Sequence, residues 1–210
     1  DRTDWSERDW EDAVLAALRR AVERRLVADV PVGCLLSGGV DSSLIVGLLA
    51  EAGQQHLKTF SIGFEAAHGE AGDEFKYLDI IAQYFGTDHT KIMIPTGNML
   101  DALPGTIAAM SEPMVSYDNV GFYLLSREVA KHVKVVQSGQ GADEVFAGYH
   151  WYPKLASSND IVSDYTALFF DRDREKIGRH LNDTWMADED EPARLVERHL
   201  MKDGAGTPLD

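Results

Sequence analysis

Between residues 7 and 28 the apolar side chains Trp10, Val14, Leu15, Leu18, Val22 and Leu26 recur three to four positions apart, the period of one helix face. Ser6 with Asp9 three positions on supplies the parts of a capping box and places the helix start. The run VPVGCLL, residues 30–36, predicts a buried strand, with Pro31 near its beginning where a missing donor matters least. Residues 42–52 predict a helix stopped by Gly53, and residues 57–64 (LKTFSIGF) a second strand. After the loop AHGEAG the pattern gives a helix over 73–85 ending at Gly86, then an alternating strand over 89–94. Helical character returns over 99–110. The loop SEPMVSYD follows, then a helix over 119–131 and the strand VKVVQ.

Strand and helix thus alternate, which predicts an α/β fold: a parallel twisted sheet with helices on both faces. After Tyr152-Pro153 the character changes. Asp, Glu and Arg dominate, and SSND, DRDR and ADEDEP read as solvated helix faces and turns. The expected organisation is one domain over 1–152 with its N-terminal helix. A mainly helical, acidic segment of the same domain follows over 153–210 and needs a partner segment to bury it. A chain beginning at Asp1 reads as part of a longer product, continuing beyond Asp210.

Composition narrows the classes. A hydrophobic share of 44% and a charged share of 26% are those of a soluble globular protein, and no apolar run reaches the ~20 residues of a membrane span. The opening DRTDWSERDW is too acidic for a signal peptide. Cys34 is the single cysteine. It excludes an internal disulfide, fits a reducing cytoplasm, and in an apolar strand reads as a buried structural thiol. A net charge of -15 argues against broad binding to nucleic-acid phosphates. An anionic nucleotide would then need backbone N–H groups and a divalent cation to overcome the global field.

Such a cradle is legible at CLLSGGVDSS. A strand that ends in Ser37-Gly38-Gly39 and runs straight into a helix makes a βα turn at the ligand-binding edge of a parallel sheet. The glycines allow close approach to the main chain, the helix N-terminus offers open N–H groups, and Ser37, Ser42 and Ser43 add hydroxyls. No lysine follows, so it is not a Walker A loop. Asp41 beside an anion makes sense with magnesium between them; the alternative is an N-cap on an ordinary tight turn. A second Ser-Gly turn, SGQGADEVFAGY, leaves the end of VKVVQ and enters a short acidic helix with Asp143 and Glu144. The two turns could face each other across one crevice.

LLSGGVDSS resembles the pyrophosphatase loop of the N-type ATP pyrophosphatases. Together with SGQGADEVFAGY it resembles the synthetase domain of glutamine-dependent asparagine synthetases, an adenine nucleotide alpha hydrolase-like fold. KTFSIGF, DEFKYLDIIAQYFGTDH, EPMVSYDNVGFYLLS and VKVV fall in that family's order. The continuation HWYP is similar to the N-acetylglutaminylglutamine amidotransferase branch. The resemblance implies an AMP-forming ligase using ATP and Mg2+. A carboxylate is activated as an acyl-adenylate, pyrophosphate leaves, and ammonia from a separate glutaminase domain, absent from this chain, forms the amide. The acceptor is either aspartate or an N-acetylated glutamine dipeptide.

By the same resemblance Ser37, Gly38, Gly39, Asp41 and Ser42 hold pyrophosphate, with Ser43 beside them and Asp41 as the magnesium carboxylate. The main chain of Leu36 and Ile62 meets the adenine, and Ser138 and Gly139 make the second nucleotide contact. Asp143 assists a second magnesium or anchors its loop; capping its own helix through Val145 is the alternative. Glu144 reads as a structural partner, and Tyr149 as closing the site through its hydroxyl or packing. Gln140 departs from the family's acid at that position. A neutral amide cannot accept a proton from ammonium, which favours an acceptor other than aspartate. His89 reads as structural and His68 as solvated. Glu112 and Asp118 flank a loop that could reach the crevice and read as loop-structuring first and substrate-facing second. A lysine and acids completing the site are expected from a later segment, so this piece alone is expected to be inactive. Homodimerisation stays open. The rival readings are a tRNA-modifying ATP pyrophosphatase, disfavoured by the charge and the single cysteine, and a non-catalytic nucleotide-binding module.

Overall fold

The Ser6 hydroxyl accepts from Asp9 N–H while the Asp9 carboxylate accepts from Ser6 N–H, so the capping box forms and starts α1 (Glu7–Arg24). In this computed structural model the described residues are 4–64, 74–95, 97–112, 114, 116, 118–170 and 172–201. The chain continues through β1 (Val32–Leu35), α2 (Val40–Glu51), β2 (Lys58–Phe64), α3 (Glu74–Phe85), β3 (Asp88–Ile94), α4 (Asn98–Ala109), α5 (Asp118–Val129) and β4 (Val135–Gln137). There follow α6 (Ala142–Phe146), α7 (Tyr152–Ala156), α8 (Ile161–Phe169), α9 (Arg174–Gly178) and α10 (Glu191–Leu200). The chain forms two compact units, Asp1–Gln140 and Gly141–Asp210. Composition changes after Tyr152, but the division falls earlier because α6 bonds forward to Gly148 and Tyr149 within the second unit.

In the first unit four parallel strands lie in the order β3-β2-β1-β4, the expected α/β sheet. Period-two alternation sends its side chains to two cores. Cys34 and Leu36 join Val22 of α1, Val46 and Leu49 of α2 and Leu78 of α3 on one face. Leu35, Phe60 and Val136 join Leu125 and Val129 of α5 on the other, where α4 adds Ala102 against Ile94 and Leu124. Helices therefore cover both faces. Each fully buried aliphatic side chain stabilises by about 1.5–3 kcal/mol.

Several element ends differ from the sequence pattern for local reasons. α1 stops at Arg24, before Ala28, as Arg25 and Leu26 N–H tighten onto Val22 and Glu23 O. α2 begins at Val40, before Ser42, because Gly39 is extended and serves as its N-cap. Both α2 and α3 end in paired bonds around a left-handed glycine. Gly53 N–H donates to Ala50 O and Gln54 N–H to Leu49 O, and Gly86 and Thr87 repeat the pattern on Gln83 and Ala82. β4 starts at Val135, since Val133 N–H still bonds Val129 O at the end of α5.

His89 lies within β3, its Nδ1 2.8 Å from Thr59 Oγ1 and its Nε2 3.2 Å from Ser61 Oγ, and Thr59 reaches Thr87 Oγ1 at 2.9 Å. It is structural, as expected. Desolvation, with Lys91 adding to it, holds the imidazole below its ordinary pKa. Cys34 is fully buried, and burial pushes its thiol up to about 12, so it is an inert core residue. Asp118 accepts from the Ser116 hydroxyl and so structures its loop. Glu112 is exposed, while His68, all of AHGEAG, and Pro113, Val115 and Tyr117 of SEPMVSYD lie outside the described residues.

In the second unit Asp160, Asp173 and Asp190 cap α8, α9 and α10 through their carboxylates. Part of the acidic character of the segment is therefore helix-starting chemistry. Phe169 of α8 packs edge-on to Trp151 and flat on Tyr165. Among the described residues no helix is long and apolar enough to cross a membrane.

Candidate functional site

The strand order places a topological reversal inside the first unit. From β1 the chain steps outward to β2 and β3, then returns to pair β4 with the other side of β1. Loops leaving the C-terminal ends of β1 and β4 thus depart on either side of a crevice, the usual ligand position in open parallel sheets. The pairing of Cys34 with Gln137 sets the two strand ends level. The Gln137 amide, buried, donates to Val22 O at 3.2 Å and ties β4 to α1.

The loop after β1 is closed by Ser42. Its buried hydroxyl accepts from Ser37 N–H (3.1 Å), lies 3.0 Å from Ser37 Oγ and donates to Gly39 O (3.2 Å). A hydroxyl donates once, so Ser37 Oγ is the donor to Ser42. Ser43 also donates to Gly39 O, at 2.7 Å. Gly38 adopts φ +88, a conformation that needs glycine. Gly39 caps α2 without a side-chain bond, so no side chain of the cap occupies the first-turn N–H groups. Asp41 sits in that first turn, exposed.

The loop after β4 leans on this turn. A Cβ on Gly139 would stand 2.9 Å from Asp41 C and Ser42 N and 3.1 Å from Asp41 Cβ. The two Ser-Gly motifs are therefore in van der Waals contact through a bare Cα. Ser138 Oγ accepts from Gln140 N–H at 3.1 Å, and the Gln140 side chain is exposed.

Among the described residues no hydrogen bond carries the β1–β2 ladder past Leu36, where an adenine is expected. Leu36 N–H donates to Phe60 O at 2.8 Å, the last bond of that ladder. Ile62, two residues on, presents its main-chain groups to the same side, past the end of β1, while β2 continues to pair with β3 as far as Phe64 and Ile94. The expected residues up to Gln140 thus collect along one sheet edge.

Asp143 belongs to the second unit. It does not cap α6: the N-cap is Gly141 at φ +92, and Val145 N–H bonds Gly141 O. The carboxylate instead lies over Gly148. Glu144 is a structural partner, accepting from the Tyr149 hydroxyl at 2.7 Å, a bond that pushes the phenol up to about 12. The Tyr149 ring stacks on Trp151 with centroids 4.5 Å apart. Its hydroxyl is committed to this internal bond.

Among the described residues no three His, Cys, Asp or Glu side chains converge on a metal site. Magnesium in nucleotide enzymes is commonly held by one or two carboxylates plus phosphate oxygens and water. A lone Asp41 beside an anion cradle fits that mode. Sequence reasoning missed Gln137, whose only signal is an amide in an apolar strand, and Gly148, whose only signal is a glycine directly after a helix stop.

The sequence profile of the family described as asparagine synthase matches residues 13–207. A putative glutamine-hydrolyzing asparagine synthetase from Mycobacterium bovis is 38% identical over 170 residues, covering 81% of this chain and 25% of that protein. Another, from Methanocaldococcus jannaschii, is 40% identical over 130 residues, covering 61% and 24%. Asparagine synthetase 3 of Bacillus subtilis is 31% identical over 183 residues, covering 82% and 29%. The chain spans about a quarter of the length of these relatives. Among solved structures, the NH3-dependent NAD synthetase from Campylobacter jejuni gives a TM-score of 0.46 at 16% identity, covering 91% of this chain and 93% of that one.

Proposed function

Since this chain belongs to the asparagine synthase family, we propose that it is the ATP-using part of an amide-forming ligase that takes its nitrogen from glutamine. The observation that carries the reading is the contact between the two Ser-Gly turns at the β1/β4 reversal, where Gly139 lies against the Asp41–Ser42 peptide. That contact makes one continuous lining for a nucleotide out of two distant sequence motifs.

In the proposed reaction a substrate carboxylate attacks the α-phosphorus of ATP, the α–β bond breaks, and pyrophosphate leaves with the electron pair. Ammonia then attacks the acyl carbon, AMP departs, and a proton is released. Positioning and charge neutralisation dominate such chemistry. Gly38, Gly39 and the open first turn of α2 receive the departing pyrophosphate, with Ser37, Ser42 and Ser43 fixing the loop. The main chain at Leu36 and Ile62 receives the adenine, and Ser138 and Gly139 the middle of the nucleotide. Magnesium, held by Asp41 and by phosphate oxygens, would supply charge neutralisation. Gln140 faces the acid, and Asp143 assists a second magnesium.

The relatives' names include glutamine hydrolysis, which supports a glutaminase domain as the ammonia source. A cytoplasmic location fits the single, reduced Cys34. The relatives' names also point to aspartate as acceptor. The neutral Gln140 favours an acid other than aspartate, and the similarity of HWYP to the N-acetylglutaminylglutamine branch makes that dipeptide the second candidate. The test is to supply the intact protein with ATP, Mg2+, an ammonium salt and each acid in turn. AMP and the matching amide are expected from one of the two acids. Formation of ADP, or nucleotide binding with no amide from any acid, counts against the proposal.

A further inference from the structure

The short turn that closes α6 contains a misplaced glycine. Ala147 is the left-handed residue, at φ +53, the position where helix ends usually place glycine. Gly148, one position on, is not among the residues with positive φ. Backbone freedom therefore does not explain Gly148. Space does. A Cβ there would stand 2.2 Å from Asp143 Oδ1, 3.1 Å from its Cγ and 3.2 Å from its Cα. The same turn is pinned from behind by the bond from Gly148 N–H to Asp143 O, at 2.9 Å.

The Asp143 carboxylate is half-buried and takes no part in capping α6. Its direction is set by shape. The neighbouring carboxylate, Glu144, is by contrast tied down by the Tyr149 hydroxyl. One of two adjacent acids is thus consumed by the fold, and the other, on a glycine seat, has no hydrogen-bond or ion-pair partner among the described residues.

We infer that Gly148 is a positioning residue, whose bare Cα is the seat that aims the Asp143 carboxylate for its role in the ligase reaction. This rests on the reading of Asp143 given above. Any side chain at 148 displaces the carboxylate oxygen, the free end of a short side chain, while the 3.2 Å approach to Asp143 Cα asks the main chain of α6 to give by only a few tenths of an ångström. The expected signature is lost function with retained fold.

The test is a double-mutant cycle in the intact protein: wild type, Gly148→Ala, Asp143→Ala, and both together. ATP–pyrophosphate exchange, the Mg2+ concentration for half-maximal ATP binding by calorimetry, and the thermal unfolding midpoint are recorded for all four. Gly148→Ala alone should lower exchange at least tenfold and raise the Mg2+ requirement. In the Asp143→Ala background it should change either by less than twofold. Ala147→Gly relieves the left-handed position without touching the seat, and should leave exchange unchanged. Equal losses from Gly148→Ala in both backgrounds, or losses that follow the unfolding midpoint, overturn the inference. Should Gly148→Ala fail to fold, a folded double variant supports the seat and an unfolded one overturns it. A wild type without exchange speaks against the ligase reading itself, and the four unfolding midpoints then decide whether residue 148 and the carboxylate are coupled.

Discussion

Replacing Gly139 by alanine tests whether the two Ser-Gly turns must touch. The backbone of Gly139 does not require glycine, since its φ is not positive. The obstacle is its neighbours. Carbon atoms sit comfortably from about 3.5 Å, so a Cβ at 2.9 Å from Asp41 C and Ser42 N is short by about 0.6 Å. Both are main-chain atoms in the first turn of α2, and neither can rotate aside. The strand below is also held, through the Cys34–Gln137 pairing and the Gln137 bond to Val22 O. The relaxation must therefore occur in the turn, parting the two halves of the nucleotide lining. A misplacement of ~1 Å costs on the order of a hundredfold in rate, so about tenfold or more is expected here. The associated overpacking should cost roughly 1–3 kcal/mol of stability. ATP–pyrophosphate exchange, measured well below the unfolding midpoint, separates these two effects. Gly97→Ala, with no atom of the described residues within 4 Å of its Cβ, is the neutral control. Exchange within twofold of wild type in a folded Gly139→Ala protein would refute the claim that this contact aligns the site.

Three further outcomes follow from single groups. Asp41→Asn removes an exposed carboxylate, so the unfolding midpoint should stay within about 1 °C, a change of a few tenths of a kcal/mol, while Mg2+-dependent exchange falls by ~100-fold or more; a shifted midpoint with intact exchange contradicts this. Ser42→Ala strips Ser37 N–H and Oγ of their buried partner, which should cost about 1–3 kcal/mol in urea unfolding and raise KM for ATP. For His89 the folded pKa is depressed, so the unfolded chain binds its proton first. Its contribution to stability is present above about pH 6.5 and is lost as pH falls from there through the folded value. Unfolding midpoints from pH 8 to 5 should therefore drop more steeply in wild type than in His89→Gln, and equal slopes would show that the imidazole is not held in its neutral form.

The sheet was readable because its signals are local. Strands such as KTFSIGF are apolar enough to be buried on both faces, and Gly53 and Gly86 mark helix stops by their left-handed conformation. The sequence of the first loop also announced its own shape, through Gly38 at φ +88 and the serines around it. Pairing was different. Nothing in the string sets β4 beside β1; that follows from where the chain reverses, and only the pairing of Cys34 with Gln137 makes Gly139 a neighbour of Asp41. Of the readings open for Asp143, the helix cap falls away, since an acid in the first turn of a short helix often is one but here Gly141 is the N-cap. The orientation of Asp143 depends on Gly148, a residue with no chemistry of its own and hence no motif to betray it.

The most direct measurement of the central claim is ATP–pyrophosphate exchange by the intact protein in the presence of Mg2+, with aspartate or N-acetylglutaminylglutamine supplied in turn. The account predicts exchange that requires one of these acids and disappears in Asp41→Asn. Tight ATP binding with no exchange under either acid would contradict it, and would make the β1/β4 edge a nucleotide-binding surface without ligase chemistry.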